Sequence, residues 1–259
     1  MNVWIVLLVT FFAGMGAGLG TGFAGMSAAA VISPMLITFL DIEPYTAVGI
    51  ALASDVLASA VSAYTYHKNK NLDIKNGLLM MAMVLLFTVV GSYVSSVVPA
   101  QTMGSFSTFM TLILGIKFIV KPVMTTKQQM EAVSKKKKVL GSIICGVFIG
   151  FICGFIGAGG GMMMLLILTS VLGYELKTAV GTSVFIMTFT ALTGAISHFS
   201  LGDSPNLLVI GLCIAFTFVW ARIAAKFANK AKPETLNRAV GIVLAILGFV
   251  ILGFEYLIK

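Results

Sequence analysis

Charged side chains are scarce in this sequence: Asp, Glu, Lys and Arg make up only 10% of its 259 residues. Soluble domains carry about 25%. Here 59% of the residues are hydrophobic and the mean hydropathy is +1.05. Apolar runs of about 20 residues, the length that crosses a bilayer as a helix, recur along the chain. The composition excludes an ordinary soluble domain and predicts an integral membrane protein.

The apolar runs also lack the alternation of polar and apolar residues that a transmembrane β-barrel needs. Only helices then satisfy their backbone groups in lipid, so the predicted fold class is an all-α integral membrane protein. Ten helical segments are expected, five in each half of the chain. Their bounds are 3–23, 27–40, 45–66, 75–97, 102–121, 139–156, 160–172, 177–198, 206–225 and 236–257.

Features of enzymes and of cofactor binding are missing as well. Cys145, Cys153 and Cys213 lie inside apolar runs without CxxC spacing, which predicts buried small hydrophobes and no metal site or disulfide. No Walker lysine follows the glycine clusters, and no nucleophile–base pair is recognisable. We expect no catalytic residues, no metal and no cofactor. The net charge of +8 is expected in membrane-flanking loops, with no nucleic-acid partner.

Glycine, in contrast, is abundant, and its clusters occur twice. Gly22-Phe23-Ala24-Gly25-Met26-Ser27 matches Gly154-Phe155-Ile156-Gly157-Ala158-Gly159 at an offset of 132 residues, and the second copy continues into Gly160-Gly161. Without a gap, 11 of the 32 positions in Gly18–Gly49 are identical to those in Gly150–Gly181. We interpret the chain as an internal duplication, with a first repeat at 1–121, a basic linker at 122–138 and a second repeat at 139–259.

Loop charges indicate that the two repeats are inverted. The loop after Tyr66 carries Lys68 and Lys70, whereas the corresponding loop after His198 has no base. The positive-inside rule then places the amino terminus outside and the linker in the cytoplasm. Inverted repeats with interrupted helices are typical of secondary transporters whose site lies near the membrane midplane.

Two segments are too short to cross the membrane. Segments 27–40 and 160–172 give about 20 Å of helix at 1.5 Å per residue, against a hydrocarbon core of about 30 Å. The predicted architecture is an inverted repeat of five plus five transmembrane helices in which helices 2 and 7 are short or broken. An eight-span protein with two re-entrant helices is the alternative.

The glycine clusters allow two readings. Gly14, Gly18 and Gly22, like Gly146, Gly150 and Gly154, have the small-xxx-small spacing of close helix packing. The consecutive glycines at 159–161 would each cost a helix about 1 kcal/mol, and they expose N–H groups where a short helix begins. Such an amino terminus suits an anion. The candidate substrate-binding residues are Gly22, Gly25, Ser27, Ser54, Gly157, Gly159, Gly160, Gly161, Thr182 and Ser183.

Asp55 is expected within a membrane-crossing segment, where an ionisable side chain is costly and marks a functional hypothesis. Its repeat partner is Met187, so it is not a remnant of shared packing. We predict a role in coupling transport to protons or cations. The alternative is a hydrogen-bonded carboxyl that only joins helices.

The duplicated Gly-Phe-Ala-Gly and Gly-Phe-Ile-Gly-Ala-Gly-Gly-Gly motifs, each followed by Thr-Ala-Val-Gly, resemble the TauE/SafE family of sulfite and organosulfonate exporters. The resemblance implies a bacterial or archaeal inner-membrane permease for small sulfur-containing anions, coupled to an ion gradient. The first copy departs from the pattern at Met26-Ser27-Ala28, which predicts two unequal half-sites. The expected partners are a small anionic substrate and the lipid bilayer. An anion channel, a non-transporting partner of a sulfur-metabolism enzyme, and a homo-oligomer remain open.

Overall fold

The computed structural model describes residues 3–95, 112–113, 115–156, 160–201 and 206–257. Within these ranges the chain forms helices joined by turns and short loops. The helices are α1 (Val3–Ala24), α2 (Ala29–Leu40), α3 (Pro44–Lys68), α4 (Ile74–Ser95), α5 (115–120), α6 (Lys127–Ala132), α7 (Lys135–Ile156), α8 (Gly160–Ser170), α9 (Leu176–Leu201), α10 (Leu207–Lys230) and α11 (Pro233–Leu257).

These helices confirm the prediction of an all-α membrane protein. Six of those described, α1, α3, α4, α9, α10 and α11, are long and apolar enough to cross a membrane. The predicted short helices are also present, since α2 has 12 residues and α8 has 11. Most of the segment expected at 102–121 lies outside the described residues.

The linker differs from the expectation because it contains a helix of its own. Thr126 and Gln129 form a capping box that starts α6: each side chain accepts a hydrogen bond from the other's backbone N–H. Such reciprocal caps satisfy the free N–H groups of a first turn. In addition, α7 begins at Lys135, before the expected start at 139, because lysines are good helix formers.

The centre of the described fold is an antiparallel pair of helices, α3 and α9. At one end the Tyr45 ring stacks on His198 with 4.3 Å between centroids. At the other end Tyr66 lies against Gly181, where an added Cβ would lie 2.8 Å from Tyr66 Cβ. Of the most apolar 18 residues in each of these helices, more than half are buried. This pair therefore forms the interior against which the shorter helices pack.

A side-chain cap marks the start of α3. The Glu43 carboxylate accepts hydrogen bonds from the backbone N–H groups of Tyr45 (2.9 Å) and Thr46 (2.7 Å), and Pro44 occupies the first turn. These N–H donors lower the pKa of the exposed Glu43 carboxyl. The cap fixes the end of α3 at which Tyr45 meets α9.

Rows of glycines, here called glycine seams, join helices of the first half of the chain to helices of the second half. Gly14, Gly18 and Gly22 of α1 lie against α10, and Gly146 and Gly150 of α7 lie against α4. A Cβ at Gly18 would lie 2.6 Å from the Thr217 carbonyl oxygen. Five of the six glycines with small-xxx-small spacing thus confirm the packing prediction. The packing around the sixth, Gly154, lies outside the described part of the structure.

Replacing Gly18 by alanine is expected to lower the unfolding temperature in detergent, because the new methyl group overlaps backbone of α10. Overpacking of this kind costs about 1–3 kcal/mol. Gly211, also on α10, has nothing within 4 Å of an added Cβ, so Gly211→Ala is the matched control and should be neutral or slightly stabilising. Equal unfolding temperatures for the two variants would contradict the seam.

Candidate functional site

The two helix breaks meet inside the protein. After α1, Gly25 turns the chain with a φ of +62°, a left-handed conformation that favours glycine. The Thr21 hydroxyl donates to the Met26 carbonyl at 2.8 Å and holds the turn. A Cβ at Gly161, in the first turn of α8, would overlap the Gly25 carbonyl oxygen and the Met187 sulfur. The backbone of one break therefore touches the backbone of the other.

Ser183 of α9 lies where the breaks meet. Its fully buried hydroxyl is 3.3 Å from the Gly161 carbonyl oxygen and 3.5 Å from that of Gly25. A hydroxyl donates one proton, so it can bond strongly to only one of these carbonyls at a time. The structure thus brings together three of the predicted substrate-binding residues, Gly25, Gly161 and Ser183.

Asp55 lies at the amino-terminal end of α2. Its Oδ2 accepts hydrogen bonds from the Ser27 hydroxyl (2.8 Å) and the Ala28 N–H (3.1 Å), and its Oδ1 accepts one from the Ser59 hydroxyl (2.9 Å). The side chain is only 1% exposed. Negative charge is favoured at a helix amino terminus, and three donors satisfy a carboxylate well. The protein's own carboxylate therefore occupies the position that an anion would take at α2.

The second break has a different environment. Met187, the repeat counterpart of Asp55, lies against Gly161, with its sulfur 4.0 Å from the Ser183 hydroxyl oxygen. A thioether carries no charge. The surroundings of the two breaks therefore differ in chemistry, with a carboxylate at the first and a thioether at the second. In the part of the chain that the structure describes, no group of three or more His, Cys, Asp or Glu could hold a metal ion.

The remaining predicted site residues whose surroundings the structure describes are not among the residues that meet at the contact between the two breaks. The Gly22 carbonyl accepts the Tyr66 hydroxyl at 2.9 Å, and the Ser54 hydroxyl donates to the Ile50 carbonyl of its own helix at 2.9 Å. The Thr182 hydroxyl accepts the backbone N–H of Asp73 at 3.2 Å, beside the loop after α3. Gly160 is the first residue of α8. Gly157 and Gly159 fall outside the described residues.

The sequence did not predict a set of side-chain hydrogen bonds between the first and second halves of the chain. The Asn71 amide donates to the Asn229 side-chain oxygen at 2.7 Å, and the Tyr174 hydroxyl donates to the Asp73 carboxylate at 2.9 Å. Burial raises the pKa of Tyr174, and the neighbouring Asp73 carboxylate raises it further. Tyr174 therefore keeps its proton and remains a donor. No sequence pattern links these positions, which lie more than 100 residues apart.

Comparison of the sequence with known proteins identifies the family of the chain. The family model described as "Sulfite exporter TauE/SafE" matches residues 10–251. "Probable membrane transporter protein YdhB" of Bacillus subtilis (strain 168) is 23% identical and is aligned over 96% of this chain and 99% of its own length. "Probable membrane transporter protein YunE" of the same organism is 25% identical over 89% of each chain.

An archaeal protein matches to a similar extent. "Probable membrane transporter protein MJ0441" of Methanocaldococcus jannaschii is 25% identical over 96% of this chain and 94% of its own length. No solved structure matches the chain. Since the family model covers nearly all of the sequence, the protein belongs to the TauE/SafE sulfite exporter family and is a multi-pass membrane transporter of a prokaryotic family, not an enzyme.

Proposed function

We propose that the protein is a secondary transporter of a small sulfur-containing anion, such as sulfite, thiosulfate, sulfoacetate or a similar organosulfonate or carboxylate. It works by alternating access in the cytoplasmic membrane and is coupled to an ion gradient. The observation that carries the proposal is the contact between the two helix breaks at Gly25 and Gly161, beside the buried Ser183. Helix breaks in two repeats are where such transporters bind substrate.

Helix directions support an inverted repeat of five plus five helices. The helices α3 and α9 hold the same position in the two sequence repeats, and they run antiparallel. The α1 helix runs parallel to α3, since Gly22 near the end of α1 bonds to Tyr66 near the end of α3. If α2 and α8 were re-entrant in an eight-span protein, α3 and α9 would run parallel. The basic linker then lies in the cytoplasm with the amino terminus outside.

The proposed substrate site is the beginning of α8, at Gly160 and Gly161. Backbone N–H groups at a helix amino terminus hold an anion without a basic side chain. The first break contributes Gly25 and Ser27 to the same region, while its own helix start is paired with Asp55. Asp55 is then the residue that couples the site to an ion gradient, because its charge must be balanced whenever α2 moves.

The test uses purified protein in liposomes on a solid-supported membrane. Sulfite, thiosulfate, sulfoacetate, sulfate and acetate are applied in turn, with and without a pH gradient. A saturable current for a sulfur-containing anion that responds to the gradient is the expected result. Conductance without saturation would indicate a channel. If the currents are silent, radiolabel counterflow separates electroneutral exchange from a protein that transports nothing. The absence of transport, like the channel result, would overturn the proposal.

Replacing Gly160 by leucine is expected to abolish both binding and current while leaving expression largely intact. The bulky side chain would cover the N–H groups at the start of α8 and prevent close approach by the anion. Binding is measured by the shift in unfolding temperature on adding the transported anion. Normal affinity in the purified variant would show that the glycine-lined site is wrong.

A further inference from the structure

Two serines on α3 are not bonded in the way that is usual for helix hydroxyls. Serine and threonine inside helices commonly donate to the carbonyl of the preceding turn, as Ser54 and Thr65 of α3 do. Ser59 donates to the Asp55 carboxylate instead. The Ser62 hydroxyl is fully buried and has no hydrogen-bond partner among the described residues. An unpaired buried hydroxyl lowers the stability of a protein by about 1–3 kcal/mol. A function for Ser62 would explain why this hydroxyl is present despite that cost.

These serines share a face of α3 with Asp55. Positions i, i+4 and i+7 of a helix lie one above the other, which places Asp55, Ser59 and Ser62 in one row. The row runs toward the exposed end of α3 at Lys68. In the other direction, the same face carries Ala51 and Val48. Polar groups therefore extend from Asp55 toward only one end of the helix.

We propose that Ser59 and Ser62 form the inner part of a proton route that leads from Asp55 toward the end of α3 that carries Lys68. The route rests on the proposed function and makes the proton the coupling ion. Cβ atoms at i and i+3 are about 5–6 Å apart, so proton transfer between the two hydroxyls requires one bridging water molecule. A proton arriving at the Ser62 oxygen releases the Ser62 hydroxyl proton to this water. The water passes a proton to the Ser59 oxygen, and Ser59 gives its own proton to Asp55 Oδ1. Each serine ends with one proton, and only Asp55 changes charge.

No cationic side chain compensates Asp55 in the described structure. The helices packed most extensively against α3 are α1, α2, α9 and α10, and α1 and α2 carry no charged residue. The titratable or charged groups on the other two and on α3 itself lie elsewhere. Lys177 bonds to the Asn229 carbonyl, His198 stacks on Tyr45, and Arg222, Lys226, Lys230, His67 and Lys68 are exposed.

Protonation of Asp55 therefore removes the charge that holds the amino terminus of α2. The Ser27 hydroxyl and the Ala28 N–H still reach Oδ2, but a neutral oxygen accepts hydrogen bonds more weakly than a carboxylate, so an anion can compete for these two donors. A substrate anion and a proton then replace the aspartate charge together. The predicted coupling is symport, in which the anion and the proton cross the membrane in the same direction.

The test compares two fluxes of radiolabelled sulfite in liposomes that contain the full-length protein. Counterflow with equal pH on both sides needs the site but no net proton movement. Uptake driven by a pH gradient needs the site and also net proton movement through the protein. For Ser62→Ala we expect counterflow near the wild-type rate and gradient-driven uptake reduced about tenfold or more, in line with the loss of a positioned proton-transfer group. Ser62→Thr restores the hydroxyl and should restore uptake.

Ser142→Ala is the matched control, because Ser142 on α7 is also buried and unpartnered in the described structure. It should leave both fluxes unchanged. If Ser62→Ala keeps gradient-driven uptake, or loses both fluxes to the same extent, the proton route is wrong. If wild-type protein shows no counterflow for any anion of the panel, the proposed function itself fails.

Discussion

Replacing Asp55 by asparagine is expected to leave anion counterflow close to the wild-type rate and to abolish the response to a pH gradient. The amide oxygen can accept the hydrogen bonds from Ser27 and Ala28, while the amide nitrogen donates to the Ser59 oxygen, because a hydroxyl both donates and accepts. The local geometry is kept, but the side chain no longer takes up or releases a proton. Gradient-driven uptake should fall about a hundredfold or more, the lower range for loss of a positioned acid–base group.

The Asp55→Ala variant tests the structural role of Asp55 separately from its role in proton coupling. This variant leaves the Ser27 hydroxyl and the Ala28 N–H unpaired in the interior, at a cost of about 1–3 kcal/mol for each group. It should therefore lower the unfolding temperature as well as both fluxes. If Asp55→Asn retains gradient-driven uptake with an unchanged pH dependence, Asp55 has only the structural role of joining α3 to the first break.

Replacing Gly161 by alanine is expected to weaken anion binding and to reduce both fluxes. The new methyl group would overlap the Gly25 carbonyl oxygen and the Met187 sulfur. The end of the Met187 side chain can move, but the Gly25 carbonyl cannot move without shifting the first break. We expect the apparent dissociation constant for sulfite to rise about tenfold or more, the equivalent of about 1.4 kcal/mol.

Two further variants make this result specific. Gly253→Ala adds the same methyl group where nothing lies within 4 Å, and it should bind sulfite normally. Adding Met187→Ala to Gly161→Ala removes one of the two overlaps but leaves the carbonyl, so binding should stay weak. Normal affinity in Gly161→Ala would show that the contact between the breaks is unrelated to the substrate site.

Composition and local spacing were enough to predict the fold class and the short helices, and the resemblance of the glycine motifs to a known family predicted the family. Few charges and long apolar runs require transmembrane helices, since lipid cannot pair with free backbone groups. Glycines four residues apart lie on one face of a helix, so the seams of α1 and α7 could be expected before their partners were known. The duplicated glycine motifs indicated the TauE/SafE family, which the family model confirmed.

Only the tertiary structure decided which helices meet. The helix α1 packs on α10, and Asp55 bonds across 27 and 28 residues to the start of α2. The sequence indicated that Asp55 is special, and it left open whether a cation or hydrogen bonds satisfy it. Membrane helices are apolar on all sides, so their sequence carries no amphipathic stripe to mark the buried face. Pairing and rotation depend instead on how small residues and hydrogen bonds fit across the interfaces, and that fit exists only once the chain is folded.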